Sequence, residues 1–354
     1  MSKKRVLVAL SGGVDSSVVA AKLLDEGYEV EGATMEICPD NADNAENSSC
    51  SSSAVSDARR VAEHLGINFR VFDFKDRFEK SVITPFVNEY IIGRTPNPCI
   101  ECNKQLKFEA FLLKALSLGF DYIATGHYAQ LEQDENGRIK LKKACTDVKD
   151  QTYVLYNLTQ HQLKHLLLPI GNMEKQKVRE YAKEKGIPVF NKPDSQEICF
   201  IKDNDYARFI ANRGYIAKSG NFVDLNGNIL GKHKGIYHYT IGQRKGLGIA
   251  LGKPAFVTKI DTAKNEVTLG DNNDTFQNSL TARDMNWISF DTPPESFDCL
   301  AKIRYNGPPE KATVYAQTDG SVKVEFHSPV RAVTPGQSVV FYADNFVIGG
   351  GKID

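Results

Sequence analysis

Three stretches of this chain combine residue types and spacings that could do chemistry. The first is Ser11-Gly12-Gly13-Val14-Asp15-Ser16, directly behind the apolar run Val6-Leu7-Val8-Ala9-Leu10. A buried strand that feeds a glycine-rich turn and then a helix presents backbone N–H groups and a positive helix end to a phosphate. Gly12 and Gly13 permit positive φ and close backbone approach, Ser11 and Ser16 add hydroxyls, and Asp15 is a carboxylate suited to a magnesium ion beside phosphates. The hexapeptide is a pyrophosphate cradle in outline; an ordinary serine-capped turn needs one glycine and not the whole set. Neither G-x-x-x-x-G-K-[ST] nor G-x-G-x-x-G is present, which disfavours a phosphoryl-transferring kinase and a dehydrogenase.

The second stretch is Thr95-Pro96-Asn97-Pro98-Cys99-Ile100-Glu101-Cys102-Asn103. Two prolines make it a non-helical loop, and Asn103 is the expected cap of the helix that follows. Cys102, beside that cap, is expected to have a lowered pKa and to react as a thiolate. A structural zinc site would need a second C-x-x-C, and there is none. The third stretch is Asp194-Ser195-Gln196-Glu197-Ile198-Cys199-Phe200. On its own, a cysteine between Ile198 and Phe200 reads as a small core residue, as do Cys145 and Cys299 in strand-like sequence. Cys38 and Cys50 fall in the serine-rich, apolar-poor segment 38–53, which reads as a surface loop.

The elements that must position these residues alternate in the first half of the chain. Strands are expected at 5–10, 28–35, 68–74 and 121–126, with helices at 16–26, 54–66, 78–92 and 104–118, the pattern of a doubly wound parallel sheet. Ligands bind such sheets at the carboxyl ends of the strands, where the Ser11–Ser16 turn falls. After residue 200 the texture becomes short strands with turn signals. Asp224–Leu230 and the Lys264-Asn265 junction read as hairpins, and runs at 299–305, 311–317, 321–327 and 338–342 suggest a small β-barrel. The expected plan is an α/β domain over 1–200, a β-rich domain over 201–275 and a C-terminal β-barrel over 276–354.

The 354 residues carry 44 Lys plus Arg against 44 Asp plus Glu, so any nucleic-acid binding must use local patches. Residues 138–149, 175–185 and 232–245 are the basic candidates. No run of eighteen apolar residues occurs and Met1-Ser2-Lys3-Lys4-Arg5 leads into a short strand, so a cytoplasmic protein is expected. Seven irregularly spaced cysteines fit catalytic or redox use better than a disulfide scaffold.

Taken together, the cradle, the proline-rich cysteine loop and the Asp-Ser-Gln-Glu-Ile-Cys-Phe stretch resemble the tRNA-specific 2-thiouridylase family, MnmA, of the PP-loop ATP pyrophosphatases. Ala124-Thr125-Gly126-His127-Tyr128, Lys149-Asp150-Gln151-Thr152-Tyr153, Tyr239–Gly248, Arg304-Tyr305, Pro335-Gly336-Gln337 and Gly349-Gly350-Gly351 extend the resemblance over essentially the full length. It implies a PP-loop α/β domain followed by a β-rich domain and a tRNA-contacting barrel. It also implies an enzyme that places sulfur on C2 of a wobble uridine after ATP adenylates the C2 oxygen. Ala9, Leu10, Ser11, Gly12, Gly13, Val14, Asp15 and Ser16 would hold the phosphates, with Met35 and Gly126 against the rest of the nucleotide. Cys199 would carry a persulfide received from a sulfur-carrier protein, and Cys102 would complete release, leaving a Cys102–Cys199 disulfide. Asn97, Pro98 and Cys99 would line the pocket for the unstacked base. His127, Lys149, Asp150, Gln151, Arg304, Tyr305 and Gln337 would contact tRNA. The protein is expected to act as a monomer.

Many members of that family have Asp where this chain has Cys99, so Glu101, water or no group at all would fill that role. Cys99, Cys102 and Cys199 together also match the three thiols of an iron–sulfur cluster with one open iron, an alternative to the persulfide and the less favoured one. Two other readings are a PP-loop ligase or amidotransferase that adenylates a metabolite, and a non-catalytic tRNA-binding protein, which the intact cradle argues against.

Overall fold

The computed structural model describes residues 3–37, 52–194, 198–201, 203 and 205–354. Cys38, Cys50 and nearly all of the expected 38–53 loop lie outside these residues. The chain divides into two units, one of residues 1–82, 99–204 and 344–347 and the other of residues 83–98, 205–343 and 348–354.

The first unit runs β1 (Arg5–Ala9), α1 (Val14–Asp25), β2 (Glu29–Glu36), α2 (Ser52–Leu65), β3 (Phe69–Asp73) and α3 (Lys75–Phe78). After α4 (Thr84–Ile91), which belongs to the second unit, it continues with α5 (Pro98–Cys102), α6 (Phe111–Ser117), β4 (Tyr122–Ala124), β5 (Ala129–Gln133) and β6 (Ile139–Lys143). It closes with α7 (Gln160–Lys164), β7 (Leu166–Leu167) and α8 (Lys175–Glu184). The expected strands become β1 to β4, which with β7 form a parallel sheet in the order β3-β2-β1-β4-β7.

β1 is apolar at successive positions because both of its faces are covered. Val6 and Val8 join Val18 and Val19 of α1, Ala58 and Val61 of α2 and Val178 and Ala182 of α8 in one core, while Leu7, fully buried, alternates to the other face. From β1 the chain steps outward to β2 and β3, then returns to β4 on the other side of β1. The crevice at that reversal, beyond the strands' carboxyl ends, is where such sheets bind ligands. Both the Ser11–Ser16 turn after β1 and Gly126 after β4 open onto it.

One expectation fails here. The helix holding Cys102 starts at Pro98, not after Asn103, because proline's fixed φ suits a first helical position. Asn103 opens a π-helical stretch, Asn103–Ala110, that continues from α5 into α6. Its buried side chain caps nothing and instead donates through Nδ2 to the Val154 carbonyl at 2.9 Å.

The second unit holds α4, α9 (Tyr206–Ala211) and two β assemblies. β8 (Gly220–Val223), β9 (Ile229–His233), β10 (Phe256–Asp261) and β11 (Glu266–Gly270) form a sheet in the order β10-β11-β8-β9. Both expected hairpins are present: Asp224 accepts from the Asn226 and Asn228 amides, and Asn265 takes a positive φ of 53°. β12 (Phe276–Trp287), β13 (Ser296–Lys302), β14 (Glu310–Ala316), β15 (Val322–Arg331), β16 (Ser338–Ala343) and β17 (Phe346–Ile353) follow. They pair in the order β12-β15-β14-β13-β16-β17, and β12 pairs again with β17, closing a six-stranded barrel. Leu280, Val314, Val324, Phe341 and Ile353 fill it. Closure needs glycine: a Cβ on Gly349 would stand 2.4 Å from the Asn286 carbonyl oxygen, and one on Gly351 2.6 Å from that of Arg283.

Cys299 packs half-buried against the barrel core. Cys145, expected as a core residue, is exposed and lies beyond the end of β6. The alternating sequence that suggested a strand there ends at Lys143, and Asp150 accepts the Ala144 amide at 3.0 Å as the chain turns away.

Candidate active site: a phosphate cradle and three cysteines

The cradle is built by backbone as much as by side chains. Gly12 has φ +69°, and a Cβ there would stand 2.4 Å from the Ala54 carbonyl oxygen in the first turns of α2. Glycine is therefore required both for the left-handed conformation and for the approach of α2. Gly13 caps α1 with extended backbone and no side-chain hydrogen bond, so the first N–H groups of the helix are left for another acceptor. Ser16 is buried and turned inward; its Oγ accepts the Ser11 amide at 3.1 Å and donates to the Gly13 carbonyl at 3.2 Å. It shapes the turn, whereas Ser11 is exposed on it. Ala9 ends β1, Leu10 donates its amide to the Ala33 carbonyl, and Val14 is buried in the core. Met35, half-buried near the end of β2, stands opposite Phe72 of β3. Gly126 lies against the opening of α1, where a Cβ would come within 2.9 Å of the Ser16 nitrogen.

A cluster of charged and hydroxyl groups joins Asp15 to Asp194. Tyr128 donates its hydroxyl to Asp15 Oδ1 at 2.8 Å, and Lys175 Nζ, at the start of α8, reaches Oδ1 at 2.7 Å and Oδ2 at 2.8 Å. The same ammonium lies 2.7 Å from Asp194 Oδ1. Asp194 also receives Lys149 Nζ at 2.8 Å and Arg179 Nη2 at 2.9 Å. Burial pushes the Asp194 carboxyl up, but the bonds from Lys149 and Lys175 outweigh it and hold the pKa below its ordinary value. Lys192 Nζ bonds the Gly12 carbonyl at 3.2 Å and Asp57 at 2.7 Å. In the sequence, Lys175 and Arg179 have i, i+4 spacing on a helix that otherwise reads as a solvated basic face.

The five described cysteines, Cys99, Cys102, Cys145, Cys199 and Cys299, are in the thiol form. Cys102 is buried, and burial pushes its pKa up to about 12 even though Lys107 pulls it down. The expected low-pKa thiol beside a helix start is thereby corrected: Cys102 ends α5 and is followed by further helical turns, so no helix N-terminus serves it. Cys99 is solvent-exposed yet packed about with protein; that desolvation, then the charge of Cys199, raises its pKa. The Cys99, Cys102 and Cys199 thiols are close enough for each of the first two to feel Cys199. Cys199 is half-buried and followed by buried Phe200, whose ring meets Phe78 edge-on at 5.6 Å, and by buried Ile201. Among the described residues, no three of His, Cys, Asp or Glu group as metal ligands, so the iron–sulfur alternative gains no geometric support there.

The residues expected to meet the base and tRNA differ in setting. Asn97 is half-buried and Pro98 buried, in the second unit. There the chain is clamped two residues earlier: the Thr95 amide donates to the Pro335 carbonyl at 2.8 Å, and Gln337 Nε2 donates to the Thr95 carbonyl at 2.7 Å. His127 is buried, bonded through Nδ1 to Thr125 Oγ1 at 2.8 Å, and burial lowers its pKa well below the usual imidazole range, so it is neutral. Asp150 is buried and accepts from the Ala144 amide and the Thr152 hydroxyl, and Gln151 Oε1 accepts the Tyr128 amide. These two shape the loop that presents Lys149. Arg304 and Tyr305, half-buried, follow β13, with the Lys302 ammonium 5.7 Å from the Tyr305 ring centre.

The basic stretches are largely self-neutralised. Lys142 pairs with Glu132, Lys177 with Glu180 and Lys185 with Asp25. Arg244 and Lys245 are exposed with no acidic partner among the described residues. No helix of the described residues is long and apolar enough to cross a membrane.

Three family models match in succession: a tRNA methyl transferase HUP domain over residues 4–203, a tRNA methyl transferase PRC-barrel domain over 207–271 and an aminomethyltransferase beta-barrel domain over 277–353. Among curated proteins, the chain is 59% identical over 358 residues to a tRNA-specific 2-thiouridylase MnmA of Acetivibrio thermocellus, covering 100% of both chains. It is 55% identical over 357 residues to one of Clostridium botulinum, covering 100% of this chain and 99% of that protein. Among solved structures, a 4-thiouridine synthetase–RNA complex with bound ATP is 16% identical with a TM-score of 0.38, over 59% of this chain and 50% of that one, a likeness that carries no functional argument. By its full-length identity to these relatives, with the phosphate cradle and both cysteines in place, the chain belongs to the tRNA-specific 2-thiouridylase (MnmA) family.

Proposed function

We propose that this protein converts the wobble uridine of certain tRNAs to 2-thiouridine, spending ATP to AMP and pyrophosphate. The observation that carries the reading is identity over the whole chain to proteins named 2-thiouridylases. The open N–H groups of α1 and the glycines at 12 and 126 support a place for the triphosphate. Asp15 suits a magnesium ion: Oδ1 already accepts Tyr128 and Lys175, but among the described residues Oδ2 accepts Lys175 alone and keeps a lone pair. Magnesium would neutralise phosphate charge there.

In the activation half, the uridine C2 oxygen attacks the α-phosphorus and pyrophosphate leaves. The terminal sulfur of a Cys199 persulfide, delivered by a sulfur-carrier protein, then adds to C2, and AMP departs with the former oxygen. The Cys102 thiolate attacks Cys199 Sγ and breaks the S–S bond, whose electron pair stays on the sulfur now held by C2. A Cys102–Cys199 disulfide remains for a two-electron thiol reductant to reopen. Cys99, kept as a neutral thiol by its raised pKa, lines the base pocket with Asn97 and Pro98 and leaves any acid–base role to Glu101 or water.

Lys149, Gln151, His127, Asp150, Arg304, Tyr305 and Gln337 form or support the tRNA contacts of a three-part chain: an ATP-binding part over 1–200, a β-rich part over 201–275 and a barrel over 276–354. The protein works as a cytoplasmic monomer. The test is mass spectrometry of tRNA nucleosides after incubation with ATP, magnesium and a persulfide source. The wild-type protein yields 2-thiouridine and Cys199→Ser yields none. ATP–pyrophosphate exchange without RNA, together with no thiolation by the wild type, would overturn the reading in favour of a metabolite ligase.

A further inference from the structure

Two lysines neutralise the carboxylates at the phosphate cradle, and they are held differently. Lys175 is the ion-pair partner of Asp15, which has no second cation among the described residues. Lys192 Nζ lies 2.7 Å from Asp57 Oδ2 on α2 and donates to the Gly12 carbonyl of the cradle at 3.2 Å. Asp57 does have a second cation, Arg60 Nη1 at 3.2 Å. The Lys192 and Asp57 side chains are only 22% and 21% exposed, so this ammonium is a partly shielded charge set against the backbone of the glycine turn.

The chain delivers Lys192 from a fixed backbone. Ile187 and Val189 are buried in the core of the first unit. The Phe190 amide donates to the Ile187 carbonyl and the Lys192 amide to the Val189 carbonyl, closing successive turns. Arg179 of α8 donates to the Phe190 carbonyl at 3.1 Å and to the Lys192 carbonyl at 3.0 Å. The backbone at 192 is thus tied down, while the flexible four-carbon side chain can redirect its ammonium.

We propose that Lys192 is a phosphate-binding residue of the nucleotide cradle, its ammonium meeting the β- and γ-phosphates that leave together as pyrophosphate. The inference rests on the proposed function for the identity of the nucleotide. The uncapped N–H groups at the start of α1 draw the phosphates to Gly12 and Gly13, and the ammonium already stands at Gly12. A triphosphate concentrates more negative charge than one carboxylate, so the ammonium turns from Asp57 to it. Asp57 is not orphaned by the exchange, because Arg60 remains beside it. Lys175 could leave Asp15 only by stripping it of its one cation. When the uridine C2 oxygen attacks the α-phosphorus, the bond to the bridging oxygen breaks with its electron pair on pyrophosphate, and Lys192 offsets the added charge.

The test is calorimetry on the full-length protein without tRNA, with magnesium and, in turn, a non-hydrolysable ATP analogue, inorganic pyrophosphate and AMP. Lys192→Met should weaken the analogue and pyrophosphate about tenfold, the scale of one hydrogen bond to a charged group, and leave AMP within about twofold of the wild type. Lys192→Arg should recover part of the loss. Asp57→Asn should bind the analogue at least as tightly as the wild type, since the competing anion is gone. A lysine that only clamps α2 to the turn predicts equal losses for all three ligands and the same losses in Asp57→Asn. Either result overturns the assignment, as does a folded Lys192→Met with wild-type affinity for the analogue. Circular dichroism checks folding; if Lys192→Met is not folded, Lys192→Gln takes its place with the same expectation. Because no tRNA is present, a wild type that thiolates tRNA while Lys192→Met keeps full affinity refutes this inference alone. The selective loss in Lys192→Met, with a wild type that never thiolates tRNA, refutes the functional reading alone.

Discussion

Gln337 and Thr95, 242 residues apart in sequence, are joined by a 2.7 Å hydrogen bond from the Gln337 amide to the Thr95 carbonyl. Because the Thr95 amide also donates to Pro335, the turn 335–337 grips the backbone two residues before Asn97. Under the proposed function, Gln337 holds in place the backbone that leads to Asn97 and Pro98. Gln337→Ala should lower kcat/KM for tRNA about fivefold, the worth of one net hydrogen bond of about 1 kcal/mol. ATP affinity measured by calorimetry should stay unchanged. Equal losses for tRNA and ATP would argue against a local positioning role.

Gly12 tests the cradle. Alanine there meets both the left-handed φ of +69° and the Ala54 carbonyl oxygen. Gly12→Ala should cost roughly 2 kcal/mol of stability or more, judged from left-handed strain alone, and should abolish measurable ATP binding. Thermal denaturation and calorimetry read the two effects separately; a variant of wild-type stability would mean the turn and α2 can move apart freely.

Cys102 should show its burial in its pH dependence. With the thiol pushed up to about 12, the thiolate fraction rises about tenfold per pH unit across the neutral and mildly alkaline range. Labelling of Cys102, and disulfide formation where that step limits turnover, should climb from pH 7 to pH 10 without a plateau. The same shift works against folding at high pH. The unfolded thiol ionises near 8.5 and the folded one far higher, so stability is lost as pH rises between those values. A labelling plateau near pH 7 would restore the low-pKa reading.

Closure of the barrel can be tested at Gly349. Gly349→Val places side-chain atoms where the β12 backbone passes, since even a Cβ at 349 would crowd the Asn286 carbonyl oxygen. The β12–β17 pairing should open, with a loss of about 2–4 kcal/mol and faster amide exchange in both strands, read by mass spectrometry. Unchanged exchange there would show that the seam does not depend on the glycine.

Strands β1 to β4 of the parallel sheet and the cradle were legible in the sequence for a simple reason, whereas the two-residue β7 was not. A strand buried on both faces must be apolar at successive positions, and a turn with positive φ under a neighbouring helix must be glycine; both requirements are written in adjacent residues. The hairpins at Asp224–Asn228 and at Asn265 were legible because their side chains bond their own backbone or tolerate positive φ. Cys102 and His127 were visible as residue types, but their protonation depends on desolvation by residues far away in sequence. The same sequence around Cys102 fits either a helix beginning at Asn103 or one beginning at Pro98, and only packing chose the second. Lys175 meets Asp15 across 160 residues, and β12 meets β17 around a barrel. Such pairings depend on where separate elements come to rest, and only the tertiary structure decides that.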